Sequence, residues 1–104
     1  MAAIVWTPQA ADDFEAACRY LARDSHRYAA SFAGRVGVAV ERLERFPESG
    51  RVVPEFGRPE IRELIVQRYR VIYRLIADRV EILTIVHGAR RLPPMGPDES
   101  AREP

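Results

Sequence analysis

The spacing of apolar residues changes twice along the chain. Ala2 to Trp6 is a short apolar run that reads as a strand. From Ala10 the step opens to three and four residues. Ala10, Phe14, Ala17 or Cys18, and Leu21 then fall on one helical face. Thr7-Pro8 supplies an N-cap side chain and a proline at the first helical position. Asp12, Asp13 and Glu15 lie toward the positive end of this helix, and Arg19 and Arg23 toward its negative end. The helix is predicted to end near Asp24-Ser25 after about four turns. A second stripe of Tyr28, Phe32, Val36, Val40 and Leu43, flanked by Ala29, Ala33 and Ala39, predicts a helix over 26–46. The short linker makes the two an antiparallel hairpin. Gly34 and Gly37 lie inside the second helix, where each costs about 1 kcal/mol relative to alanine. Close approach of another helix or of a partner is one explanation, and simple tolerance is the other.

The stretch from Pro47 to Glu60 holds Pro47, Gly50, Pro54, Gly57 and Pro59, and it is predicted as a stiff loop. Beyond it the residues are β-branched and aromatic. Three strands fit, Ile61–Val66, Tyr69–Ile76 and Arg79–His87. A two-residue turn at Ala77-Asp78 places Arg74 opposite Glu81, a favourable cross-strand pair. That register puts Tyr69, Val71, Tyr73 and Leu75 on one face with Val80, Ile82, Thr84 and Val86, against the helices. Arg70, Ile72 and Arg74 share the other face with Glu81, Leu83 and Ile85, and Arg68 falls opposite His87. The element order is β-α-α-β-β-β. The predicted fold is α+β, a helical hairpin on one face of a small antiparallel sheet whose other face stays partly open and carries arginine.

At 104 residues the chain has room for one domain. No apolar run approaches the length of about 20 residues that spans a bilayer. The N-terminus shows neither a basic segment nor a long apolar one, so no secretory signal is expected and the cytoplasm is the predicted compartment. A lone Cys18 cannot form an internal disulfide and is expected to be a small buried hydrophobe. The net charge is only +1, which gives no whole-molecule attraction to nucleic acid. All sixteen basic residues are arginine, so every cationic contact is a planar fork suited to carboxylates or phosphates.

Most catalytic constellations are missing from the sequence. It has no phosphate loop, no dinucleotide fingerprint and no zinc spacing, and Ser25, Ser31, Ser49 and Ser100 sit in no nucleophile-elbow context. No metal or cofactor is expected. What remains is a cationic sheet face and rim: Arg62, Arg68, Arg70, Arg74, His87, Arg90 and Arg91. Arg74 reads as the partner of Glu81, and Glu55 and Glu63 as partners of nearby arginines.

Four segments carry a resemblance. They are Phe46-Pro47-Glu48-Ser49-Gly50-Arg51-Val52-Val53-Pro54-Glu55, then Ile61-Arg62-Glu63-Leu64, Tyr69-Arg70-Val71-Ile72-Tyr73-Arg74, and Val86-His87-Gly88-Ala89-Arg90-Arg91. With the opening Trp6-Thr7-Pro8-Gln9-Ala10, their order and spacing resemble the ParE branch of the RelE/ParE toxins of type II toxin–antitoxin modules. The resemblance covers residues 4–92 as a single domain and implies the same fold. Residues 93–104, rich in proline, are expected to form a mobile tail.

The resemblance implies an inhibitor of DNA gyrase that needs no catalytic set. It also implies a ParD-type antitoxin, encoded alongside, whose disordered C-terminal segment folds on the toxin through helix-in-groove or strand-addition contacts. Gly34 and Gly37 would permit its close approach, and Arg62, Arg68 and Arg70 would pair with its carboxylates. The alternative is a RelE-like, ribosome-dependent mRNA endoribonuclease using Arg70, His87 and Arg90. Arg70 matches an arginine of the nucleases. Arg90 and Arg91, however, stand where many nucleases have tyrosine or histidine, and the lysine-rich type of site is missing. RNA cleavage needs a base and an acid, and arginine is a poor proton shuttle. With His87 the one plausible titrating group, the gyrase branch is favoured. A third reading is a decayed, non-toxic chain that only binds its antitoxin.

Overall fold

A computed structural model of the chain describes residues 1–90 and Leu92. The elements are β1 (Ala3–Trp6), α1 (Pro8–Ala22), α2 (His26–Arg42), β2 (Arg51–Val52), β3 (Ile61–Val66), β4 (Tyr69–Ile76) and β5 (Arg79–His87). One five-stranded sheet runs in the order β1-β5-β4-β3-β2, with the helical hairpin on one face. The α+β layout matches the sequence reading, with two corrections to the sheet. β1 lies parallel to β5, so the sheet is mixed rather than antiparallel. A lone strand joined by helices carries no local turn to set its direction. The two-residue β2, read as loop, pairs with Arg62 and Glu63 of β3.

The first helix starts at its predicted cap, and the second is capped by Ser25. Thr7 Oγ1 accepts from Ala10 N at 3.1 Å and Ser25 Oγ from Tyr28 N at 3.0 Å. α2 ends four residues before the predicted Phe46, because residues 43–45 tighten into turns with bonds such as Glu44 N to Glu41 O, 3.1 Å. The apolar stripe continues through Leu43, which is fully buried, so periodicity alone overruns the end. The main core fills the space between helices and sheet. Phe32, Val36, Val40 and Leu43 meet Val71, Tyr73, Val80 and Ile82 there, and the ring ladder Trp6–Phe14–Phe32–Tyr69 crosses it.

The register at the last hairpin is the predicted one, with Arg74 opposite Glu81, but it holds only as far as Tyr73–Ile82. Ile72 then pairs with Thr84, so β5 carries one extra residue, a bulge. Thr7 anchors it: its Oγ1 donates to Ile82 O at 2.8 Å and to Leu83 O at 3.3 Å. Thr84 Oγ1 donates to Asp13 Oδ2 of α1 at 2.5 Å. The bulge overturns three placements. Ile85 belongs to the helix-side core, Val86 packs on the opposite side, and His87 faces Tyr69 rather than Arg68.

The sheet face away from the helices is less open than predicted. Val53, Ile61, Ile72 and Leu92 form a second small core there, joined by Phe56, Leu83 and Val86. The loop before β3 is pinned over this region from two sides. Tyr73 Oη donates to Pro47 O at 2.8 Å and accepts from Gly50 N at 2.9 Å. Arg62 donates to the carbonyls of Pro59, Gly50 and Glu48 at 2.9, 2.9 and 3.2 Å. Tyr73→Phe deletes the hydroxyl and leaves a buried Gly50 N–H unsatisfied. The expected loss is about 1–3 kcal/mol in urea unfolding, with the slope unchanged. Among the described residues no helix is long and apolar enough to cross a membrane.

Candidate functional site

Each arginine of the predicted cationic face has its own surroundings. Arg70, on β4, is buried. Its Nε donates to Glu63 Oε1 at 2.6 Å, and Nη1 and Nη2 donate to the two carboxylate oxygens of Glu55 at 2.8 Å each. Glu63 takes a second cation, Arg51 Nε at 2.5 Å. This is a chain of two acids and two arginines, Arg51–Glu63–Arg70–Glu55, with a bidentate link at its Glu55 end. The bond from Arg70 holds the Glu55 carboxyl down to about 2, burial opposing it. The two carboxylates in turn raise the guanidinium further above its ordinary value.

Since Glu55 is depressed in the folded state, its contribution to stability is full above the ordinary carboxylate range and fades as pH falls toward 2. The loop around Glu55 is therefore expected to loosen in acid before the helical core does. Hydrogen exchange at the Phe56 and Gly57 amides, both bonded to Val53 O, would show it as faster opening between pH 4 and pH 2.

Arg62 is the loop clamp already described, with its donors directed at backbone. Arg74 donates from Nη2 to Glu81 Oε1 at 3.0 Å, and Arg79 donates to the other oxygen at 3.1 Å. The sequence reading of Glu55, Glu63 and Glu81 as arginine partners thus holds. Arg62, Arg70 and Arg74, expected at a docking surface, are engaged inside the chain.

Arg68, His87 and Arg90 are exposed at the far end of the sheet. The Arg68 carbonyl accepts from Gly88 N at 2.7 Å. Arg68 and His87 line a small cavity with Tyr69, Arg70 and Gly88. His87 Nδ1 accepts from Ala89 N at 3.2 Å, and its ring stands edge-on to Tyr69, centroids 5.4 Å apart. It therefore leaves the sheet on the helix side, whereas Arg70 leaves on the other. The trio Arg70, His87 and Arg90 does not converge on one point. Arg91 and the predicted tail 93–104 lie outside the described residues. Among the described residues no three His, Cys, Asp or Glu could hold a metal ion. Cys18 packs against the main core, and burial pushes its thiol up, away from the reactive thiolate.

One concave feature is not assembled by the sequence reading. A groove of about 570 Å³ runs between α2 and the end of β3. Ala30, Gly34, Arg35, Val38 and Arg42 form its helix wall, and Ile65 and Gln67 its strand wall. Val38 and Ile65 are 60% and 56% exposed. β2 covers β3 only at Arg62 and Glu63, so among the described residues no strand pairs with the edge beside Ile65. The sequence did hold a signal: Val38 lies off the buried stripe of α2, four residues from Gly34.

Comparison with known proteins places this geometry. Residues 4–92 match the family model described as the ParE toxin of the type II toxin–antitoxin system parDE. "Putative toxin Y4kP" of Sinorhizobium fredii is 36% identical over 93 residues, covering 86% of this chain and 92% of that protein. "Toxin RelE2" of Caulobacter vibrioides is 36% identical over 91 residues, covering 86% and 99%. A solved structure titled "Chromosomal ParDE TA system from P. aeruginosa" superposes with a TM-score of 0.67 at 22% identity, covering 84% of this chain and 96% of that one. That likeness is one of fold. With a family model matched along nearly its whole length, and two relatives at 36% identity, the chain belongs to the ParE toxin family of type II toxin–antitoxin systems.

Proposed function

We propose that this toxin acts in the cytoplasm as an inhibitor of DNA gyrase and is neutralised by a ParD-type antitoxin. The observation that carries the reading is the state of Arg70. Its three donor nitrogens are held by Glu55 and Glu63, and His87 points to the other side of the sheet. A catalytic mechanism for RNA cleavage wants a base, an acid and a cation around one phosphate. That grouping is not formed among the described residues, so action by binding is the better account. The test is supercoiling by purified gyrase with the full chain added. Supercoiling should stop and cleaved DNA should accumulate. Undiminished supercoiling would overturn the proposal.

The name of the Caulobacter relative keeps one other reading in play, a ribosome-dependent mRNA endoribonuclease. It predicts mRNA cuts in a translating extract that vanish with His87→Ala. An extract that translates normally removes it.

A further inference from the structure

The net charge of +1 hides an uneven distribution. From Ala16 to Tyr28 the one acid is Asp24, and from Leu64 to Ala77 and from Ile82 to Arg90 there is none. The fold brings parts of these three segments to one end of the molecule, around Tyr69. Its ring stands edge-on to His87. Burial raises its hydroxyl, and Tyr20 and Tyr28 lie near enough to raise it further. The preceding residue, Arg68, is tied through its carbonyl to Gly88 N, and Arg90 N turns back to His87 O at 2.9 Å. Two rings stand out at this end. Tyr20 is 61% exposed and Tyr28 42%, so core packing accounts for neither. The Arg23 guanidinium lies 5.8 Å from the centroid of the Tyr20 ring. Arg23, Arg68 and Arg90 are exposed, and none has an ion-pair partner among the described residues.

We infer that this end of the molecule binds a single strand of DNA, without sequence preference. Unstacked bases lie on Tyr20 and Tyr28, and the phosphates meet Arg23, Arg68 and Arg90. Exposed aromatic rings set among cations are the means by which proteins hold a strand whose bases are free. Arginine alone would suit any anion, but a duplex keeps its bases stacked inside and offers the two rings nothing. Protein interfaces gather apolar side chains at a centre and leave charge at the rim, whereas here rings and guanidinium groups are interleaved. A second copy of this chain would set like charges against each other in a two-fold contact. The choice of DNA over RNA rests on the gyrase reading above, which brings the toxin to an enzyme holding cleaved DNA.

The test is fluorescence anisotropy of labelled oligo(dT), about 15 nucleotides long, titrated with the full chain. Oligo(rU) and duplex DNA of the same length are run beside it, and folding is followed by thermal unfolding. Oligo(dT) should bind about 10-fold tighter than the duplex, and its affinity should fall as roughly the second power of salt concentration, the slope of three phosphate contacts. Tyr20→Ala with Tyr28→Ala should weaken binding by about 30-fold at an unchanged unfolding midpoint, while the double phenylalanine variant keeps it. Rings with a merely structural role would move the midpoint instead. Arg23→Gln and Arg68→Gln should each lessen the salt slope by about 0.7. No binding to oligo(dT), or binding indifferent to both tyrosines, overturns the inference even if gyrase is inhibited. Tighter binding to oligo(rU) overturns the choice of DNA. If oligo(dT) binds as expected while supercoiling is undiminished, the gyrase reading falls and the strand-binding surface stands.

Discussion

Arg70→Met is expected to cost about 3–5 kcal/mol of stability, measured by urea unfolding. The reason lies in what it leaves behind. The Glu63 side chain is 0% exposed, and its other partner, Arg51, is 62% exposed and hydrated. Without Arg70 the buried carboxylate keeps one surface cation and loses its short inner bond. Glu55 is freed to turn into water, and with it goes the tie that holds its loop to β4. Coupling Arg70→Met to Glu63→Leu should recover most of the loss, since an apolar pair of similar volume has nothing to desolvate. A single variant within about 1 kcal/mol of the parent would contradict this account. The double variant also separates two roles. If it is stable and still arrests growth, Arg70 serves the fold; if it is stable and inert, Arg70 meets the target.

Gly50→Ala should lower stability by about 3 kcal/mol, or roughly 15 °C in the unfolding midpoint of a domain this size. The added Cβ would stand 2.5 Å from Tyr73 Oη and 2.6 Å from Glu63 O. Neither atom can yield cheaply. The hydroxyl is fixed between Gly50 N and Pro47 O, and the carbonyl belongs to β3 where it pairs with β2. The loop would have to lift, breaking the tyrosine latch and the Arg62 clamp together. Gly34→Ala, with open space around its Cβ, should move stability the opposite way by up to about 1 kcal/mol. The same chemical change at two glycines thus reads out which of them the fold needs.

Much of the architecture is legible in the sequence, because the helices and three of the strands carry their signals locally. Thr7-Pro8 marks the first helix start, the three-to-four spacing marks the buried stripes, and the Arg74–Glu81 pair fixes the last hairpin. What escapes is non-local. The parallel placement of β1 is set by how the helical hairpin packs, and β2 forms only where the loop folds back on β3, pairing Arg51 and Val52 with Glu63 and Arg62. The candidate site was half legible. Counting charges finds the arginines and their acids. It cannot tell that Arg70 is sunk between Glu55 and Glu63, since burial of an ion comes from a loop folding over it. The α2–β3 groove joins residues some thirty positions apart, and Gly34 hints at it from one wall only.

The spare residue in β5 acts as a parity bit for everything downstream. Strand side chains alternate, so shortening β5 by one position around Leu83 would hand Val86 and His87 to opposite sides. The imidazole would then share a side with the Arg70 guanidinium. Two toxins with the same helices and the same terminal histidine can thus present different chemistry on the same face through a single-codon gap. Where relatives are aligned across this strand, the length between Ile82 and His87 says more about what His87 can touch than the identity of any residue in between.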